Sequence, residues 1–466
     1  MPSNSPAKSG SCSEHDQPDS GDEVVDYNQI PIGTLDGRIY WLNYMLGTSI
    51  LLPWTAMSTA SPYFLERLEG SRLQAPFVSY LSLTYTVTAF IYLAHATITT
   101  REASPSQRLR YSLGVLAPIN LLLTLSPGLG FGPTGLFAFV MLIAALQGAA
   151  LSYLRAAIVA VASAFGPSAV QAVMSGESVI GVLVSAVQYF TAAAAELGGD
   201  TAVGSGTKLA AFLSFGLSTA CLASALAAHA WMMGVPSYRS AIQALEGDKD
   251  IMGEDGMRAD IPSVPKAASR RSEIMKLAQV NWGCNFAAAY SCVLISAVFP
   301  PITSAILSVN PISGGVFFSP TLFNYFHFLV FNTADYMGRL ICSHPRLITW
   351  SHKKLLRLSL ARTVFIPLLL LCNFQRPGNT SQHTPPFINS DFAYLLILAA
   401  FGVSHGYLMS LCMMAASSPK HNPRIRSDQA SPAATVAQFF TMGGFTLGSF
   451  ASFGVAGVVC GCNPFY

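Results

Sequence analysis

The chain has 466 residues, of which 52% are apolar and only 11% charged, with a mean hydropathy of +0.45 and a formal net charge of +3. Soluble globular chains carry about 25% charged residues, so a water-soluble enzyme of this size is excluded and the bilayer is the expected solvent. The small net charge also excludes nucleic acid as a partner.

In chain order, residues 1–37 hold one basic residue, Lys8, against seven acids, among Ser, Pro and Asp. This composition predicts a disordered acidic tail. It has neither a basic n-region nor an apolar h-region, so it does not read as a secretory signal. From Ile39 onward the chain is a series of apolar blocks long enough to cross about 30 Å of hydrocarbon as helices. They fall near 39–60, 76–99, 109–127, 134–162, 168–194, 208–233, 277–300, 319–343, 354–373, 390–415 and 430–458. The expected fold is therefore all-α and polytopic, with eleven transmembrane helices. The domains are a tail over 1–37, a six-helix bundle over 38–233, a linker loop over 234–276 and a five-helix bundle over 277–466.

Lys and Arg orient the spans. With the N-terminus in the cytosol, 19 of the 26 basic residues fall on the cytosolic side, four on the other side and three within spans. An odd span count then places the C-terminus outside the cytosol. The 234–276 segment, with seven basic and seven acidic residues, reads as a flexible cytosolic connection. Asn379-Thr380-Ser381 falls on the opposite side and matches the N-glycosylation pattern. Plasma membrane and vacuolar or other intracellular membranes fit equally.

Ionisable groups inside a bilayer need a partner or a purpose. Five stand inside the spans: Arg155, Glu177, Asp335, Arg339 and Arg362. Asp335 and Arg339 are four residues apart, share a helix face and can pair. Asn332 lies on the same stripe. Such a pair stabilises poorly if merely buried, but beside a watery cavity it can bind polar substrate groups. Gly166-Pro167 is the sharp break between the fourth and fifth spans, and Arg155 and Glu177 lie equally far from it in opposite directions. In a tight hairpin both sit about 16 Å from the turn, so each is the other's nearest evident partner. Arg362, at comparable depth in the second bundle, is a second candidate partner for Glu177, in a gating ion pair that forms when the cytosolic side closes. Gln147 offers both a donor and an acceptor and serves either a ligand edge or helix packing. Trp54, after a helix-kinking Pro53, either covers a flat ligand or packs in the core.

Other patterns carry less. The nine cysteines show no C-x-x-C and no zinc spacing, so neither a metal nor a cofactor is expected. Gly402-Val403-Ser404-His405-Gly406 matches a nucleophile pattern that requires a strand before a helix. Here it lies within an apolar helix, so no enzyme activity is expected. Gly444 and Gly448 in the last span allow close helix packing.

Taken in order, several runs resemble equilibrative nucleoside transporters. Tyr40 through Gly47, Leu52-Pro53-Trp54 and Tyr63-Phe64 resemble the family's first helix. Leu146-Gln147-Gly148 is similar to the fourth, and Ser175-Gly176-Glu177 through Gly181 to the fifth. Phe331-Asn332 with Asp335, Gly338 and Arg339 resembles the eighth, and Gly406-Tyr407 through Leu411-Cys412 the tenth. The resemblance implies a major-facilitator-like arrangement of six plus five helices and alternating-access transport of nucleosides, with nucleobases as further candidates. It implies that Trp54 and Gln147 contact the base, and Asp335 and Arg339 the ribose. Thr55, Ser58 and Arg155 depart from the family's usual residues, which bears on base selectivity. The absence of an ATP-binding loop makes transport downhill or ion-coupled, with Glu177 and Asp335 as candidate proton carriers. The alternative is a major-facilitator carrier for another small polar solute, such as a sugar. It would usually have twelve spans and Gly-Arg loop signatures, which this sequence lacks.

Overall fold

The computed structural model describes residues 35–74, 77–100, 103–198, 203–254, 266–299, 301–309, 319–374 and 386–460. Helix occupies each of the eleven apolar segments, because a backbone surrounded by hydrocarbon must satisfy its N–H and C=O groups internally. The helices are α1 (Gly37–Thr59), α2 (Ser61–Arg67), α3 (Phe77–Ile98), α4 (Pro105–Leu125), α5 (Pro133–Ala164), α6 (Pro167–Gly198) and α7 (Val203–Met232). Then follow α8 (Pro236–Glu254), α9 (Lys266–Val280), α10 (Trp282–Val298), α11 (Pro320–Ile341), α12 (His352–Ala361), α13 (Phe365–Leu370), α14 (Asp391–Ser417) and α15 (Ala430–Cys460). Among the described residues there is no strand, only an isolated bridge between Ile306 and Phe374. Six helical stretches are long and apolar enough to cross a membrane by length and composition: Phe77–Ile98, Pro133–Ala164, Pro167–Ala194, Ala211–Met232, Trp282–Ala305 and Asp391–Ser417.

Local chemistry sets the helix ends. Ser104, Ser319 and Ser390 each accept a hydrogen bond from the backbone N–H three residues on, satisfying one of the orphan donors of a helix start. Pro105, Pro133 and Pro320 open their helices, where a missing N–H costs nothing. Between α5 and α6, Gly166 adopts φ 87°. That left-handed conformation ends α5 and returns the chain at once into α6. The 354–373 segment differs from a single span. It divides into α12, a 3-10 turn over Arg362–Val364 and α13. Pro367 explains the division, since it has no N–H and its ring crowds the Thr363 carbonyl. Within 234–276, the described residues form α8 and the first part of α9. Tyr238 and Ile242 bury α8 against the end of the bundle, with the Tyr238 ring stacked on Phe165 at 5.2 Å.

The helices pack in two sets. In the first, α1 lies on α6 and α7, α3 on α5, and α4 on α5 and α7. In the second, α10 lies on α15, α12 and α14, and α11 on α14. Between the sets α6 meets α11 and α14, while α15 meets α3 and α5. Several crossings depend on the absence of a side chain, among them that of α15 on α10, where a Cβ at Gly444 would collide with the Ala289 carbonyl. A Cβ at Gly176 would collide with the Tyr44 carbonyl where α1 crosses α6, and one at Gly406 with the Asp335 carbonyl where α11 crosses α14. Small residues let membrane helices approach to backbone contact.

Gly114 on α4, by contrast, has nothing within 4 Å of an added Cβ. Gly176→Leu and Gly406→Leu should therefore each lose about 1–3 kcal/mol of stability by overpacking. Gly114→Leu should leave the thermal midpoint of the purified protein unchanged or raised. Equal losses at all three positions would show that the crossings do not depend on glycine.

Candidate functional site

The site grows from one face of α11. Asp335 and Arg339 pair four residues apart, with Arg339 Nε 3.1 Å from Asp335 Oδ2. Both are buried. The rest of their shell comes from α6. Arg339 Nη1 donates to the Met174 carbonyl at 2.9 Å and lies 4.0 Å from Glu177 Oε2. The Ser178 hydroxyl donates to Asp335 Oδ2. Gln171 Nε2 donates to the Arg339 carbonyl at 3.1 Å, and Asn332 Nδ2 to Ser185 Oγ at 2.6 Å. Gly181 makes room for Asn332. Polar contacts thus line the α6–α11 seam over several turns.

Glu177 extends this shell into α5. Its Oε1 lies 3.0 Å from Arg155 Nη1, as equal spacing on the two arms of the Gly166 hairpin requires. Arg155, Glu177, Arg339 and Asp335 form a chain of alternating charge with no net charge. At an effective dielectric of about 20, a contact of this length attracts by about 5 kcal/mol. Desolvation costs several kcal/mol per ion. The chain therefore adds little to stability, but it costs a great deal to break on one side only. Asp335 Oδ1 is buried and has no hydrogen-bond partner among the described residues, which leaves one acceptor free.

The aromatic side of the site starts from Trp54 on α1, whose ring stacks on Tyr85 of α3 with centroids 4.1 Å apart and planes 17° apart. Tyr85 is itself buried. Gln147 on α5 is fully buried. Its Nε2 points to Asn120 Oδ1 at 3.5 Å, an oxygen that also accepts from Ser218 Oγ at 3.0 Å. Its carbonyl Oε1 is buried without a hydrogen-bond partner among the described residues. One half of the amide serves helix packing and the other half remains available.

Arg362 is not brought into this chain. It sits at the α12–α13 break among residues of the second set. Its Nε donates to Ser404 Oγ at 3.0 Å, its Nη2 to the Phe401 carbonyl at 3.2 Å and its Nη1 to the Ser291 hydroxyl. The guanidinium lies 4.7 Å from the Phe401 ring centroid. No ion pair is formed by Arg362 among the described residues. Ser404 is helical and donates to the Phe401 carbonyl, a packing role. Asn379 lies outside the described residues. Among the described residues, no group of three or more His, Cys, Asp and Glu side chains is placed to hold a metal. Sequence reasoning missed Tyr85, Gln171, Met174 and Ser178. The first, second and fourth look like ordinary helix residues, and the Met174 contribution is a backbone carbonyl with no side-chain signal.

The ion chain yields a test of its own. Arg155→Glu should leave two carboxylates facing each other and lose folded, surface-expressed protein, since breaking a buried pair costs about 3–5 kcal/mol. Adding Glu177→Arg should recover part of the abundance. No recovery, together with a harmless Arg155→Ala, would show that the contact contributes nothing.

The family profile described as nucleoside transporter matches residues 139–456. Curated relatives include equilibrative nucleoside transporter 1 of Rattus norvegicus, 24% identical over 89% of this chain and 96% of the relative. The protein of that name from Homo sapiens is 25% identical over the same shares. Equilibrative nucleoside transporter 3 of Rattus norvegicus is 24% identical over 88% of this chain and 87% of the relative. Among solved structures, a double-tryptophan XylE mutant aligns with a TM-score of 0.56 at 14% identity, over 92% of this chain and 91% of its own. The E. coli fucose:proton symporter FucP aligns with a TM-score of 0.53 at 12% identity, over 91% and 94%. At these identities the structures establish the fold, which is major-facilitator-like. With two thirds of its length matched by the family profile, and a buried Asp335–Arg339 unit in the middle of that stretch, the chain is an integral membrane protein of the nucleoside transporter family.

Proposed function

We propose that the protein moves nucleosides, with nucleobases as further candidate substrates, down their gradients by alternating access. The observation that carries this reading is the Asp335–Arg339 unit, buried between α6 and α11 with Asp335 Oδ1 free to accept. A ribose presents vicinal hydroxyls that both donate and accept. Asp335 takes their protons in hydrogen bonds and Arg339 donates to their oxygens. Trp54, backed by Tyr85, offers a flat surface to the base, and the free Gln147 carbonyl accepts from the polar edge of the base. Together these groups replace the water that a nucleoside loses on entering the bilayer.

In this reading the eleven helices span the membrane as six plus five, with residues 1–37 cytosolic and the C-terminus outside the cytosol. The two bundles rock about the site. The α6–α11 contacts, which belong to both bundles, form and break in each cycle. Both carboxylates lie 3.0–4.0 Å from guanidinium groups, so each is already engaged within the chain of alternating charge. Transport is therefore proposed to proceed without a proton. The direct test is uptake of labelled uridine and adenosine into liposomes holding the purified protein, with and without an imposed pH gradient. Accumulation above equilibrium driven by that gradient would overturn the uncoupled reading, and no uptake of either would overturn the assignment.

Two substitution series probe the residue roles. Asp335→Asn and Arg339→Ala should each reduce uptake by about 30-fold or more, since losing one partner of a buried charged pair costs about 2 kcal/mol or more. The double variant should be hardly worse than either single. Fully additive losses at normal abundance would contradict a shared role. Trp54→Ala should weaken all nucleosides alike, whereas Gln147→Leu should reorder uridine, adenosine and guanosine. Equal scaling of all three by Gln147→Leu would remove the base-reading role.

A further inference from the structure

The junction of α9 and α10 and the start of α12 form one corner of the protein, away from the ion chain. The chain breaks at Asn281, where the side chain donates to the Ala416 carbonyl at 2.9 Å and accepts from Asn422 Nδ2 at 2.6 Å. Asn422 in turn accepts from the Arg424 backbone N–H at 3.3 Å. A Cβ placed at Gly283 would come within 3.3 Å of the His352 ring, so the first turns of α10 and α12 touch. The charges of Arg424 and Lys353 both act on the His352 imidazole.

Cations therefore gather at this corner from three parts of the chain: Lys276 before α10, Lys353, Lys354 and Arg357 at the start of α12, and Arg424. Lys276, Lys353, Lys354, Arg357 and Arg424 are exposed, and none of them is in an ion pair among the described residues. Arg426 differs, being paired with Asp428 at 3.0 Å. Large apolar side chains lie exposed just beside the cations. Trp282, on the first residue of α10, is 55% exposed, and Leu358, one residue beyond Arg357, is 46% exposed. Phe286 continues the α10 stripe one turn further. An unpaired cluster of cations bordered by an indole and aliphatic side chains has the chemistry of the headgroup level of a bilayer. There an indole sits at the interface and basic groups meet anionic phosphates.

We infer that this corner, built from Lys353, Lys354, Arg357 and Arg424 beside Trp282, binds the headgroup of an anionic phospholipid. The phosphate and carboxylate of a phosphatidylserine accept from the four cations, while its acyl chains lie along Trp282, Phe286 and Leu358. A zwitterionic phosphatidylcholine, with no net charge, lacks the electrostatic attraction. The inference rests on the proposed orientation, which puts this corner in the cytosolic leaflet, where anionic lipids concentrate.

The test uses thermal unfolding of the purified full chain in detergent, a readout that does not depend on transport. Short-chain phosphatidylserine should raise the midpoint more than equimolar short-chain phosphatidylcholine, because a ligand that binds only the folded state stabilises it. In the Lys353→Gln, Lys354→Gln, Arg357→Gln triple variant the extra rise should vanish. Its apparent affinity for phosphatidylserine should fall on the order of 100-fold at low salt. Lys208→Gln, an exposed cation on α7, should keep the full rise. Should the triple variant fail to fold, the wild-type protein in about 0.5 M salt supplies the second measurement, since screening should erase the phosphatidylserine preference there. Equal midpoints in the two lipids, a rise that survives the triple substitution, or a preference insensitive to salt would each overturn the inference. So would inorganic phosphate alone reproducing the rise, which would identify a free-anion site.

Discussion

A guanidinium surrounded by hydrocarbon has no water to solvate it, so Arg339 draws its ligands from two helices. Asp335, one turn back on α11, takes Nε. The Met174 carbonyl of α6 takes Nη1, and Glu177 stands 4.0 Å away. Each of these contacts recruits another. Asp335 is held by Ser178, and Glu177 is neutralised by Arg155 on α5. One cation thereby aligns three helices. The alignment is specific because every member loses its compensation if its neighbour moves away.

Such short contacts need helices closer than ordinary side chains allow. Gly176, one residue before Glu177, rests on the Tyr44 carbonyl, and Gly406 rests on the Asp335 carbonyl. The same glycines that let the backbones touch therefore set the depth at which the charges meet. Packing and chemistry are joined here in single residues. Gly176 positions Glu177, and Gly406 comes within 3.0 Å of the unpartnered Asp335 Oδ1 through its added Cβ position, so it also bounds the space in front of that acceptor.

Apolar and polar contacts share the packing of these helices. One apolar cluster runs through both sets, from Leu46 on α1, Leu154 on α5 and Val170 on α6 to Ala287 on α10, Met413 on α14 and Ala434 on α15. The α6–α11 seam adds polar contacts to that core, and beside it the Tyr44 and Tyr336 hydroxyls of α1 and α11 lie 3.1 Å apart. Hydrogen bonds inside membrane proteins average about 0.6 kcal/mol each. Polar contacts of that kind can be exchanged for others of similar strength. In the proposed cycle a ribose offers Asp335 and Arg339 replacement hydrogen bonds at the place where the seam is joined. Substrate binding and seam opening then compete for the same donors and acceptors.

Much of this was legible in the sequence because the bilayer leaves a chain few options. Length and apolarity predict helices, and helix occupies each expected segment. The spacing of four between Asp335 and Arg339 places them on one face of any helix. The equal distances of Arg155 and Glu177 from Gly166 set them at one depth, since a glycine turn of that kind permits only a tight return. What the tertiary structure alone decided depends on how helices far apart in sequence rotate against each other. No period along α3 marks Tyr85 as the residue that stacks on Trp54. Nothing in α6 marks the Met174 carbonyl, a group every residue has, as a ligand of Arg339. The same limit applies to Arg362, which depth alone would bring toward Glu177. The turn after α12 and the rotation of α14 direct it instead to Ser291, Ser404 and the Phe401 carbonyl, because hydrogen-bond acceptors within reach satisfy a buried cation before a distant carboxylate can.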